Sequence, residues 1–306
     1  MIVKRLIRAV SILTVIMSFI TTACANLTVE HASGTTSVPN NPKKVVFFDL
    51  ASLDNVNRLG INAVVGVPEG KKPIYLQHFD DAKYEKIGTF FEPNYEKIAA
   101  FQPDLIIISS RTKSKYQDLS KIAPTIDLTV GYENALQNIE RNVTILGKIF
   151  GKEKEAEQEI ATFKENLAMV RKNTQGKGTG LVLMTSGGKI NALGPKSRID
   201  IIHTDFGIAA ATDKIVVHKH GQPISPEFIL ETNPDWLLVI DRDAAIGREG
   251  KSAAELLNNE LVHRTTAGKK NQIIYLDSWS WYRASGGLTG LNEATKQISK
   301  AFAESK

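Results

Sequence analysis

Two nine-residue stretches, PDLIIISSR (103–111) and PDWLLVIDR (234–242), carry one pattern: Pro-Asp, an apolar run, then Arg. The likeness extends upstream. Glu96, Ile98, Pro103, Asp104 and Arg111 correspond to Glu227, Ile229, Pro234, Asp235 and Arg242, every pair 131 residues apart. A generic helix–proline–strand unit, common in α/β proteins, accounts for the Ile, the Pro-Asp and the apolar run. It does not account for a surface-type Glu and a post-strand Arg at the same offset. A chain with this repeat is directed toward two similar halves, each with a buried strand that delivers an arginine at its carboxyl end. Ligands of open α/β sheets sit outside those ends. If the halves face each other, Arg111 and Arg242 enter one cleft, where forked, always-charged donors suit an anionic, oxygen-rich guest. Glu96 and Glu227 start equivalent helices on the rim, where paired carboxylates could dock a partner with basic pockets.

The rest of the chain fits that plan. KKVVFFD (43–49), INAVVGV (61–67) and DLIIIS (104–109) are short, continuous apolar runs of strand type. They alternate with helical stretches at 51–60, 94–102 and 116–123, which argues for parallel α/β layers. Residues 27–42 read as polar and turn-rich. From about 134 to 173 the pattern is helical, with a break near Gly151. Its second piece puts Ile160, Phe163, Leu167 and Val170 on one stripe, which fits either an ordinary surface helix or a strut between lobes. Its central position and Gly-rich exit TQGKGTG (174–180) favour the strut. The α/β alternation then resumes and ends in a helix from about Asn292. The expected organisation is a leader at 1–25, an N-terminal lobe at 26–151, a linker helix at 152–175 and a C-terminal lobe at 176–306. The expected fold class is α/β, two Rossmann-like lobes joined by a long helix with the ligand cleft between them.

Lys4, Arg5 and Arg8 precede a mostly apolar run from Ala9 to Thr22. It is shorter than the roughly 20 residues a membrane span needs, and it suits a secretory leader. Two endings stand side by side: cleavage after Ala25, or lipidation of Cys24 in a loose lipobox. Both export the chain to the periplasm. The leader holds three of the 38 Lys/Arg and none of the 33 Asp/Glu, which leaves 35 against 33, a net of +2. Such a near-balanced surface offers no case for nucleic acid. Cys24 is the only cysteine, so neither an intramolecular disulfide nor a thiolate metal site can form.

Three further stretches invite a chemical reading. His218 and His220 are two apart, on opposite faces of an extended segment, which is poor for chelating one ion. SWSWYRASGG (278–287) follows an apolar strand; its aromatic residues could form a platform for planar ligands or fold onto the core. AIGREGKS (245–252) fits a loose nucleotide-loop pattern, but four residues separate it from its strand and Ala245 stands at the first glycine. No Gly-x-Ser-x-Gly or His-Glu-x-x-His is present, and no enzymatic activity is expected.

VEHASGTTSVPNNPKKVV (29–46), EPNYEKIAAFQPDLIIISSR (92–111) and IAPTIDL (122–128) resemble the N-terminal lobe of the class III substrate-binding proteins of ABC importers. These are two-lobed proteins with a helical linker that serve siderophores, haem and cobalamin. Within them the chain is most similar to catecholate-siderophore binders of the CeuE and VctP type. The resemblance implies that Arg111, Arg198 and Arg242 line the cleft. It also implies that His220 and Tyr282 complete the coordination of ferric iron, and that Glu96 and Glu227 dock on the inner-membrane permease. His218 is an extra neighbour that could compete with His220. No cofactor of its own is expected: the iron is cargo, carried as a siderophore complex by a monomeric binder. Ferric iron is hard and prefers anionic oxygen, so phenolate is a natural ligand and imidazole an acceptable one. A guest with two catechols leaves positions for the pair; one with three fills the sphere itself. Haem, cobalamin, a hydroxamate siderophore and bare zinc or manganese remain as rival cargoes.

Overall fold

The computed structural model describes residues 26–218 and 220–305. The leader reading, Cys24 included, lies outside them. The chain opens with a hairpin of β1 (Leu27–His31) and β2 (Gly34–Val38). The sequence reads as turns here, because the outward positions are polar on both strands. A parallel sheet follows, ordered β5-β4-β3-β6-β7, from β3 (Val45–Phe47), β4 (Val64–Val67), β5 (Glu85–Lys86), β6 (Leu105–Ile108) and β7 (Thr125–Asp127).

The second sheet is built from β8 (Thr179–Ser186), β9 (Lys189–Leu193), β10 (Ala209–Ala210), β11 (Gln222–Ile224), β12 (Trp236–Asp241) and β13 (Ile273–Leu276). Its order is β11-β9-β8-β12-β13, with β10 on β8. This sheet is mixed rather than all parallel. Gly187 and Gly188, at φ of 57° and 72°, turn β8 straight back into an antiparallel β9. Two successive positive-φ residues are the backbone of a tight hairpin turn.

The apolar runs are continuous because both faces of each sheet are covered. Along β6, Leu105 and Ile107 enter a central core while Ile106 and Ile108 enter an outer one. Along β12, Leu238 and Ile240 face the central core and Leu237 and Val239 an outer one. The central core is continuous across both sheets.

Helix Ala135–Phe150 stops at Gly151, whose φ is 62°. Helix Glu153–Thr174 then runs about 33 Å at 1.5 Å per residue. It buries Phe163, Leu167 and Val170, the stripe read from sequence. The C-terminal helix Leu288–Glu304 lies along it, joined by Asn166–Asn292 at 2.7 Å and Asn173–Ser299 at 2.6 Å. That last helix begins four residues before the expected start. Its opening backbone N–H groups are capped from the first half of the chain: Leu288 donates to Asn55 Oδ1 and Thr289 to Asp54 Oδ2, both at 2.9 Å. Helix Leu50–Arg58, which carries those two residues, is itself capped by Asp49.

Candidate functional site

The two repeated passages occupy equivalent places. β6 lies between β3 and β7, and β12 between β8 and β13. Helices Tyr95–Phe101 and Pro226–Thr232 precede them, each seven residues long and each ending on a left-handed residue, Gln102 and Asn233. Ile98 and Ile229 are fully buried. The repeated aspartates have a structural task. Asp104 Oδ2 accepts the Lys43 and Lys44 N–H groups at 2.8 and 2.9 Å, and Asp235 Oδ2 accepts that of Thr179 at 2.8 Å. Each aspartate thereby anchors the start of the neighbouring strand. Glu96 and Glu227 are exposed at the second position of their helices, outside any cavity wall described below.

The strand ends deliver Arg111 and Arg242 as the repeat demands. Both belong to the wall of one cavity of about 530 Å³, together with Arg198, His220, Trp281, Tyr282 and Arg283. The organising element is Trp279–Arg283, a single π-helical turn after β13; such turns recur at functional sites. From its sequence this stretch reads as a loop, either an exposed platform or one folded onto the core. It is the latter for Tyr282, which is only 7% exposed, yet its ring still meets the cavity.

Three guanidiniums surround that ring. The Cζ atoms of Arg198, Arg242 and Arg111 lie 4.7, 5.3 and 5.7 Å from its centroid, within the range of cation–π attraction. Arg242 Nε donates to the phenol oxygen at 2.7 Å, and its NH1 to Ser186 Oγ at 2.9 Å. Arg111 reaches across from the first half of the chain and donates to the carbonyls of Tyr282 at 2.6 Å and Arg283 at 3.2 Å. Arg198 donates to the carbonyls of Tyr282 at 3.0 Å and Trp281 at 3.3 Å. A guanidinium has five donors, so these bonds orient each fork and leave donors for a guest.

Burial lowers the pKa of Arg111, opposed by Asp49 and Tyr282. Burial lowers Arg198 as well, reinforced by the like charge of Arg111. Asp49, buried beside them, is pushed up by desolvation and pulled down by its bonds from Ser52 and by Arg111. A pocket with crowded, largely buried cations is prepared for an anion, because bringing one in relieves a desolvation cost already incurred.

His220 belongs to the cavity wall and His218 does not, although both side chains are exposed. Among the described residues no group of three or more His, Cys, Asp or Glu side chains could hold a metal ion. Ser252 of the nucleotide-loop pattern is spent as an N-cap, in a capping box with Glu255. Arg283, adjacent to Tyr282, is a wall residue to which the sequence assigns no role. Its signal there is the one arginine that directly follows the aromatic cluster.

Residues 45–279 match the family described as Periplasmic binding protein. The chain belongs to the periplasmic binding protein family. The petrobactin-binding protein YclQ of Bacillus subtilis is 43% identical over 276 residues, 89% of this chain and 87% of its own. Its crystal structure superposes with a TM-score of 0.87, at 41% identity, covering 91% of this chain and 99% of that one. The ferric-anguibactin-binding protein FatB of Vibrio anguillarum is 31% identical over 284 residues, 90% of this chain and 87% of its own. The periplasmic catecholate-siderophore binding protein VctP of Vibrio cholerae superposes with a TM-score of 0.83 at 33% identity, covering 90% and 99%. These two-lobed neighbours share the α/β fold, and the relatives named here are binding proteins.

Proposed function

We propose that this periplasmic binding protein is the siderophore-binding component of an ABC importer for iron, and that its guest is a ferric catecholate. The observation that carries the reading is the convergence of Arg111, Arg198 and Arg242 on the ring of Tyr282 inside one cavity. A ferric catecholate is anionic and presents its charge on oxygen, which matches forked N–H donors converging on one cavity. Relatives that bind petrobactin, ferric anguibactin and catecholate siderophores support the class.

On this reading the lobes 26–151 and 176–306 enclose the guest, with 152–175 as the linker. Tyr282 and His220 supply iron ligands when the siderophore leaves positions open. The phenol oxygen already accepts one hydrogen bond from Arg242 and keeps lone-pair capacity for a metal. Glu96 and Glu227 dock on the permease from equivalent rim positions. The protein works as an exported monomer, anchored through Cys24 if that residue is lipidated.

Trp281 is part of the cavity wall, so quenching of tryptophan fluorescence reports occupancy. The purified protein is titrated with a ferric bis-catecholate, a ferric tris-catecholate, a ferric hydroxamate and haemin. Tightest binding of a catecholate is expected. Tighter binding of haemin or the hydroxamate would overturn the catecholate assignment.

A further inference from the structure

The charges in the cavity wall are unevenly compensated. Arg111 has the Asp49 carboxyl acting on it, and Arg242 stands 3.7 Å from the Asp243 carboxylate. Arg198 and Arg283 have no such counter-charge among the described residues: the groups that act on them are tyrosines and other arginines. Arg198 is at least tied by two carbonyls. Arg283 contributes its own carbonyl to Arg111, while its Nε is buried with no hydrogen-bond partner among the described residues. Its guanidinium is instead held between two rings, 4.7 Å from the Phe90 centroid and 5.6 Å from that of Trp279. Phe90 comes from the first half of the chain and Trp279 from the second. The rings fix the plane of the fork and satisfy none of its donors.

A half-buried cation with no counter-charge, and with its Nε buried and unpartnered among the described residues, carries a cost that a guest acceptor would relieve. A ferric centre with two catecholates carries one net negative charge. The three arginines around Tyr282 already meet it. Arg283 stands on the same wall but does not share that ring, so its match is an oxyanion of the guest away from the iron.

We propose that Arg283 is a specificity-determining residue that pairs with a carboxylate on the siderophore's backbone, outside the iron coordination sphere. The inference rests on the ferric catecholate reading above. It selects siderophores that combine catechols with a free carboxylate over those with uncharged linkers.

Two probes separate these classes. Ferric bis(2,3-dihydroxybenzoyl)lysine carries one free linker carboxylate. Ferric bis(2,3-dihydroxybenzoyl)-1,5-diaminopentane is the same molecule without it. Wild type is expected to favour the first. Arg283→Gln is expected to weaken the first about ten- to hundredfold, as loss of a charged hydrogen bond does, and the second clearly less, so that the preference for the first shrinks. Arg283→Lys, which keeps the charge but not the fork, should fall between. Thermal melting of the unliganded variants checks that they fold, and Arg283→Lys serves alone if Arg283→Gln does not. Equal loss on both probes, or no preference in wild type, would overturn this inference and leave the catecholate reading standing. Failure of wild type to bind either probe would overturn both.

Discussion

Arg242 and Tyr282, 40 residues apart in the chain, meet in a 2.7 Å hydrogen bond from guanidinium Nε to phenol oxygen. The bond aims the phenol oxygen and places a cation beside any charge that develops there. Tyr282→Phe removes the oxygen but keeps the ring that three arginines surround. That variant, and separately His220→Ala, is expected to weaken a ferric bis-catecholate far more than a ferric tris-catecholate, read by fluorescence quenching. Equal losses on both guests would show that the pair does not fill open iron positions.

Arg111 spans the two halves of the chain to reach the Tyr282 and Arg283 carbonyls. Arg111→Ala is expected to cost about 2–5 kcal/mol in catecholate affinity, the usual penalty for truncating one partner of a buried charged hydrogen bond. Isothermal titration measures it. A loss below about tenfold would remove Arg111 from the binding set.

Asp235 belongs to the same repeat but serves the fold. Asp235→Ala leaves the Thr179 N–H without its acceptor, at a cost of about 1–3 kcal/mol in stability. Urea denaturation should show that loss, while siderophore affinity of the folded protein stays within about twofold.

Glu96 and Glu227 stand exposed on equivalent helices. Charge reversal to Lys at both is expected to abolish siderophore-dependent iron uptake in cells and to leave binding by the purified protein unchanged. Normal uptake by the double variant would sink the docking role.

Asp54 is fully buried where it caps the C-terminal helix. Burial pushes its carboxyl up to about 6, against the bond from Thr289 and the pull of Arg58. Tyr75, itself pushed up chiefly by burial, is the other titratable group coupled to it. An unfolded aspartate titrates near about 3.9. Between those values the folded chain holds a proton that the unfolded chain has released, so stability declines as pH rises through that window. Asp54→Asn keeps an acceptor for the Thr289 N–H and cannot ionise. Its stability relative to wild type should therefore rise by about 3 kcal/mol between pH 3.5 and pH 7.5, measured by urea denaturation at each pH. A pH-independent difference would refute the assignment.

The two-lobed fold was legible because local signals repeat. Apolar runs bounded by Pro-Asp, and a shared 131-residue offset from Glu96 to Arg111, need no long-range information. Gly151 marked the helix break for the same reason. Two signals of that kind were passed over: the Gly187-Gly188 turn that makes the second sheet mixed, and the alternation in residues 27–38 that makes a hairpin. Arg198, His220 and Tyr282 were located by likeness to a family, since nothing local distinguishes an arginine in PKSRID from any surface arginine.

By itself, the sequence determined most of the parallel strands and the helices between them, and that two arginines end equivalent strands. Only the tertiary structure decided that those arginines meet over one tyrosine ring, that Arg283 joins them between Phe90 and Trp279, and that the last helix is capped by Asp54 and Asn55. The reason is separation along the chain. The Arg111–Arg283 and Asp54–Thr289 bonds join residues 172 and 235 positions apart. Such contacts depend on how the central core packs two sheets together, a property of the assembled chain that no short stretch of residues carries.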